Sequence, residues 1–398
     1  MAIAMETEQE EEEEMIELGN LSNHIVESIF TKIPLKSLIQ LKTVSKTWRN
    51  SITNIRHCYP HTTSTGFVLF LKHKTYQESV FMKLHDQTQK NFPKFCTFHS
   101  SSTHKFPYLI DSCNGVLLYA SENNNNNGFW TYSVSSPVLD QLISLPISHH
   151  ISRPTCSSLV FESNLFQVIS FFWEEVDFDT HMMNCMIFES NSWKWRETQI
   201  QILNSQLLQS DGFIRGQCFN SSVFSREKRK LYWIWSLCLL VYDIDFEVFT
   251  LFSLPKNNSI RSRKDVYYSQ FLYESSEGGV IQFCDPVNSG VFIWSFRGSE
   301  FKFDHFVRLV SINDDEDLRF KTGYSVKPCA FNKDLQVLYL HVLPHTIVAY
   351  SFETQELVQI WSYEEDEEEE EVCWVFKIFP FLFSSVDLFA CKKGIGLS

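Results

Sequence analysis

Glycine and proline are scarce in this chain, 13 and 12 of 398 residues, which excludes a collagen-like repeat and a broadly disordered, low-complexity polypeptide. Paired cysteines are missing as well. The 11 cysteines are odd in number and form no C-x-x-C, so reduced, mostly buried thiols are expected instead of a disulfide framework. No basic and then apolar leader opens the sequence, which turns acidic from Glu6. An intracellular protein is therefore expected, cytoplasmic, nuclear or both, in which the sequons at Asn20, Asn220 and Asn257 stay unused. Long apolar runs are lacking: residues 231–242 are too few to span a bilayer, and 372–390 are interrupted by Lys377, Pro380 and Asp387. Both read as buried strands, with no membrane partner. Positive charge is in deficit, and a net charge of -14 argues against nucleic acid as a partner. Much of that charge sits in two acidic runs, 6–17 and 364–371, whose like charges repel and stay solvated, the first as a tail and the second as a loop.

Catalytic signatures are thin too. There is no G-x-S-x-G elbow, no glycine-rich phosphate loop between strand and helix, and no H-E-x-x-H. His149 and His150 lack metal-ligand spacing, and the glycines of 394–398 have no helix to follow them. Asp177, Asp179 and His181 beside Trp173 could form an acid-base pair, but acidic side chains in a strand-connecting loop are the commoner explanation. No cofactor and no metal is expected.

What the chain does have is grease. It is 44% hydrophobic and 15% aromatic, with 36 phenylalanines, ample for a large core. Between Leu21 and Ile52 the apolar positions are tightly spaced. Ile25, Ile29 and Ile33 recur four residues apart with Val26 and Phe30 beside them, which predicts a helix apolar over a wide face. Pro34 ends it, because proline disfavours helical geometry in the residue before it. Helical spacing restarts at Leu35, Leu38, Ile39 and Leu41, and again from Val44 through Trp48 to Ile52. Three short helices in residues 20–55 would carry more apolar surface than they can hide among themselves.

The order Leu21, Ile25, Ile29, Ile33-Pro34, Leu38, then Val44-Ser45-Lys46, Trp48 and Ile52 resembles the F-box, by which substrate receptors of SCF ubiquitin ligases dock on a Skp-family adaptor. The family usually opens with Leu-Pro, whereas Ser22 follows Leu21 here; Ser22 or Asn23 could instead cap the first helix. The resemblance implies adaptor contacts from Leu21, Ser22, Ile25, Ile29, Ile33, Pro34, Leu35, Leu38, Val44, Ser45 and Trp48. Through the adaptor it implies cullin and RING subunits. Three helices that merely pack on the rest of the chain are the plainer alternative.

From about residue 64 the period changes to two. GFVLFL, GVLLYA, FQVISFF, KLYWIW, VFIWSF and VLYLHV are β-branched or aromatic and punctuated by Asn, Ser, Gly and Pro. Hairpin-like units centred on Phe81, Tyr132, Phe188, Tyr242, Trp294 and Tyr350 recur 51 to 56 residues apart, the scale of one propeller blade. Six hairpins predict six blades, or seven if GFVLFL and the strands after Val372 close the ring as a separate unit.

The DSCNGVLLY run, SLVFES with FQVISFF, the FESNSWKW turn, KLYWIW, and the VYDID and AYSFETQEL units stand in the order of the F-box-associated domain of the large plant F-box family, which they resemble. The run 123–127 of asparagines departs from that family's more compact turn. The expectation is therefore a mostly β chain with a small N-terminal α domain: an acidic tail (1–19), three F-box helices (20–55) and a kelch-like β-propeller (56–398). The resemblance implies a non-catalytic receptor that brings an unidentified target protein to a ubiquitin ligase. The rivals are a propeller enzyme or small-molecule-binding protein whose helices serve only assembly, and a scaffold that binds the adaptor but delivers no target.

Overall fold

The computed structural model describes residues 23–30, 41, 44–48, 66–72, 76–83, 94–99, 108–122, 130–137, 141–147, 156–162, 165–177, 181–209, 222–255, 270–275, 279–287, 290–309, 326–333, 335–342, 346–362 and 374–381. The chain divides into two compact units, Met1–Thr62 and Thr63–Ser398. The expected acidic tail, the 364–371 loop, the asparagine run and the 149–150 histidines lie outside the described residues.

In the N-terminal unit, α1 (Asn23–Phe30) is helical, and Lys46, Thr47 and Trp48 are helical again. The two apolar stripes of α1 face different ways. Phe30 is 2% exposed, whereas Ile25 and Ile29 remain 48% and 45% exposed.

Among the described residues the second unit is mostly antiparallel sheet. Its first strands β1 (Gly66–Lys72), β2 (Tyr76–Lys83) and β3 (Lys94–His99) are joined by β24 (Trp374–Phe381), which pairs with β1 and so ties the end of the unit to its beginning. Then come β4 (Tyr108–Cys113), β5 (Val116–Glu122), β6 (Trp130–Ser136) and β7 (Gln141–Ser144) as one sheet. An eight-stranded sheet follows. It consists of β8 (Cys156–Glu162), β9 (Leu165–Asp177), β10 (Met182–Glu189) and β11 (Lys194–Leu203), with β12 (Val223–Ser225), β13 (Lys230–Trp235), β14 (Cys238–Asp243) and β15 (Val248–Ser253). The two sets of four are joined by only a three-residue parallel pairing of β11 with β15. The last two sheets are β16 (Phe271–Glu274) with β17 (Ile281–Val287), β18 (Gly290–Arg297) and β19 (Glu300–Arg308), and β20 (Val326–Asn332) with β21 (Val337–Val342), β22 (Thr346–Ser351) and β23 (Leu357–Ser362).

Repeated meanders of four strands, one completed by the two ends of the unit, fit a propeller-like fold. The first strands of neighbouring sets touch one another: β24 with β4, β4 with β8, β12 with β16, β16 with β20 and β20 with β24. Burial follows from this placement. The middle strands KLYWIW and CLLVYD are buried along almost their whole length, because both faces of the sheet are covered by neighbouring sheets, whereas the outer β19 is mostly exposed. Apolar cores fill the spaces between successive sets. One joins Val116, Tyr132 and Val134 to Val168 and Phe188, the next joins Phe171 and Ile187 to Trp233 and Phe249, and a third joins Leu239 to Phe283. All six aromatic centres of the sequence repeat fall in the third strand of their set: Phe81 in β2, Tyr132 in β6, Phe188 in β10, Tyr242 in β14, Trp294 in β18 and Tyr350 in β22. GFVLFL and the strand after Val372 enter the sheet that holds Phe81.

Candidate functional site

Two regions bear on function. In the N-terminal unit, Trp48 stacks edge-on against Phe30, with ring centroids 5.3 Å apart at 74°. Ser45 Oγ accepts a hydrogen bond from Trp48 N at 3.0 Å, a side-chain cap on the first turn of the following helical segment. This local order holds Phe30 and Trp48 inward. Ile25, Ile29 and Val44 are left as exposed apolar groups, Val44 at 61% exposure. Of the other residues expected at the adaptor contact, Leu21, Ser22, Ile33, Pro34, Leu35 and Leu38 lie outside the described residues.

The second region is where the first strands converge. A cavity of about 220 Å³ there is lined by Asp111, Cys113, Asn114, Glu274 and Lys333, among others. Several of its polar groups are occupied by structural work. Asp111, 2% exposed, accepts bonds from Ser112 N on Oδ1 and from Leu159 N and Ser222 Oγ on Oδ2, at 2.9, 2.9 and 2.8 Å. One carboxylate thus braces β4 to β8 and to the residue preceding β12. Glu274 accepts from Ser225 Oγ and pairs with Lys333. Burial, and then the charge of Asp111, pushes the Cys113 thiol up to about 12, so at neutral pH it is not the thiolate that nucleophilic chemistry needs.

The DSCNG run thereby gains a physical meaning. Asn114 and Gly115 both have positive φ, 48° and 74°, as the central residues of a two-residue hairpin of type I′ require. Asn114 Nδ2 reaches across to donate to Phe161 O at 3.2 Å. Similar ties continue from set to set along the same hairpin turns: Arg229 pairs with Glu162, and Lys228 Nζ donates to Gly279 O at 2.7 Å. Phe246 stands out from this rim, 81% exposed, in a turn where Asp243 Oδ1 accepts from the amides of Asp245 and Phe246. Arg229 pairs with Asp245 and Arg196 with Glu247 on either side.

Of the acid-base pair considered from sequence, only part lies within the described residues. Asp177 ends β9, His181 lies in the turn to β10 with φ 56°, and Asp179 is outside the described residues. Among the described residues no group of three or more His, Cys, Asp or Glu could hold a metal ion, and Cys113, Cys185, Cys238, Cys284 and Cys329 are thiols outside any disulfide.

Comparison with known proteins adds one firm point. The F-box domain family matches residues 18–58. No curated protein matches the sequence. Among solved structures, a putative 6-phosphogluconolactonase from Bacteroides uniformis is similar at 13% identity, covering 74% of this chain and 82% of that one, with a TM-score of 0.41. A puromycin-hydrolyzing peptidase from Mycobacterium tuberculosis is similar at 8% identity, covering 65% of this chain and 39% of that one, also at 0.41.

Proposed function

We propose that the chain is the substrate-recognition subunit of an SCF-type ubiquitin ligase, working inside the cell, in the cytosol or the nucleus. Its F-box docks on a Skp-family adaptor, and through it on cullin and RING subunits. Its second unit, a six-bladed kelch-like propeller with β24 closing the first blade, holds a target protein for degradation. The observation that carries this reading is the division of labour in the N-terminal unit: Phe30 is buried against Trp48 while Ile25, Ile29 and Val44 stay exposed, within a segment that matches the F-box domain. F-box domains bind Skp-family adaptors. The contact surface expected from sequence, from Leu21 to Trp48, is retained as part of this proposal. Catalysis is positional: holding a target beside the charged ubiquitin carrier raises the effective concentration of its lysines, with the chemistry done by other subunits.

Co-expression with a Skp-family adaptor tests the docking half. The full chain is expected to co-purify with the adaptor one to one, and a chain lacking residues 21–52 is expected not to. Loss of the complex on deletion, with the propeller still cooperative in thermal melting, supports the reading; equal recovery of adaptor by both chains overturns it. Affinity capture with the proteasome and neddylation blocked then reports cargo, as proteins retained by both chains.

A further inference from the structure

The space between the sheet β16–β19 and the sheet β20–β23 contains a cavity of about 310 Å³. Tyr273, Phe331 and Phe352 form its apolar walls. The Tyr273 and Phe331 rings lie 4.1 Å apart, and Phe352 meets Phe331 edge-on at 6.0 Å. Tyr273 is 4% exposed, yet its hydroxyl has no hydrogen-bond partner. An orphaned buried hydroxyl costs roughly 1–3 kcal/mol, so native structures rarely leave one without a reason.

Asp304 sets the polarity of the cavity. Its Oδ2 accepts from Gln282 Nε2 at 2.6 Å and Ser295 Oγ at 3.0 Å, and both bonds fall on that one oxygen. They hold the carboxylate, whose residue is exposed, at the cavity wall and leave Oδ1 without a partner among the described residues. Burial first, then coupling to the Cys284 side chain and the charge of Asp304, raises the Tyr273 hydroxyl well above the ordinary tyrosine range. His305 is engaged with the Tyr350 hydroxyl at 2.9 Å. Arg297, exposed at the rim, is the lining's one arginine or lysine.

We infer that this cavity is a binding site for a cationic side chain, lysine or arginine, of a polypeptide held by the propeller. Aromatic walls attract a cation through their ring faces, and a held carboxylate completes a charge-assisted bond to it. The Tyr273 oxygen accepts a second one. The volume is at the small end of the roughly 300–1,000 Å³ that ligand sites occupy, which suits one long side chain better than a bulky cofactor. The chain's net charge of -14 also favours encounter with basic partners. This inference rests on the receptor reading and names the chemistry of the target that such a receptor would take.

Ligand-observed NMR on the full chain tests it with three probes: Nα-acetyl-lysinamide, Nα-acetyl-argininamide and the uncharged Nα-acetyl-norleucinamide. The cationic probes are expected to bind in the millimolar range and norleucinamide at least ten-fold more weakly. Asp304→Asn is expected to weaken the cations ten-fold or more. Tyr273→Phe, which keeps the ring and removes only the orphaned oxygen, is expected to weaken them several-fold, and Arg297→Ala to tighten them. Equal binding of norleucinamide, no detectable cation binding, or indifference to Asp304→Asn in a chain with an unchanged melting curve overturns the inference. Any of these results alongside an intact adaptor complex sinks the cationic pocket alone, whereas loss of adaptor binding by the wild-type chain sinks the receptor reading first.

Discussion

Replacing Ile25 and Ile29 together by alanine separates docking from folding. Each side chain is already about half covered, at 48% and 45% exposure, so about half of its burial free energy is left for a partner to supply. Full burial of an isoleucine contributes about 1.5–3 kcal/mol, which leaves about 1 kcal/mol per residue and about 2 kcal/mol for the pair. At 1.4 kcal/mol per decade, the dissociation constant should rise roughly 30-fold. The helix itself should not suffer, because alanine has a higher helix propensity than isoleucine. Phe30→Ala is the contrasting change. It removes a side chain 2% exposed and its contact with Trp48, and should cost the N-terminal unit about 3–5 kcal/mol, so that docking is lost through unfolding. Isothermal titration against purified adaptor, with circular dichroism on the same samples, reads both quantities. An unchanged dissociation constant for the Ile25→Ala, Ile29→Ala double variant with helicity retained would refute the docking face.

Three further changes test the second unit. Asp111→Ala removes three accepted hydrogen bonds and leaves the buried Leu159 amide open; relief of the carboxylate's desolvation offsets part of the loss, and urea denaturation should show a destabilisation of about 2–4 kcal/mol. A loss under about 1 kcal/mol would mean that the brace is not needed. Gln355→Gly at φ 59° relieves a left-handed conformation that costs about 1–2 kcal/mol, less the roughly 0.5–1 kcal/mol of extra chain entropy that glycine brings. A small gain in melting temperature is expected, and a drop would show that the turn is not strained. Arg229→Ala removes ties to Glu162 and Asp245 that are part-exposed, so stability should change by no more than about 1 kcal/mol, while amide hydrogen exchange in residues 243–247 should quicken.

The repeat was legible because third strands carry a doubled signal. Tyr132, Phe188, Tyr242 and Tyr350 must fill the space between two sheets, and the chain must then reverse through a polar turn, so an aromatic followed by Asp, Ser or Asn recurs at each blade length. In three of those turns the reversal places a non-glycine residue at positive φ, at Trp193, Glu247 and Gln355, a constraint that leaves no common residue type to read. First strands were harder to read. CSSLVFE is almost wholly buried despite its serines, since Ser157 and Ser170 bond each other and the Tyr132 hydroxyl across two sheets, and Ser158 accepts from Trp233 Nε1. Such polarity is satisfied by partners far along the chain and so looks like surface. The cavity around Tyr273 and Asp304 was invisible for the same reason: it exists only once strand pairing brings β16, β18 and β19 together against β20. In the N-terminal unit the reading was closer to the structure, because an i, i+4 stripe is a local property. What it could not say was which of two adjacent stripes turns outward.

The ties along the hairpin rim argue for a job other than stability. Exposed ion pairs such as Arg196 with Glu247, or Arg229 with Glu162 and Asp245, contribute little to folding once solvent screening and side-chain entropy are counted. A fold whose cores already bury Trp233, Phe171 and Phe283 does not depend on them. Yet they occur where turns of successive sheets meet, and they flank Phe246, the most exposed large apolar side chain described. A large aromatic left in water contributes most to binding when its position is fixed beforehand, because the partner then spends less of its interaction energy on ordering it. On the receptor reading proposed above, the pairs would act on geometry: by holding the turns of a rim in place they would let what projects from it, Phe246 above all, meet a target in one arrangement.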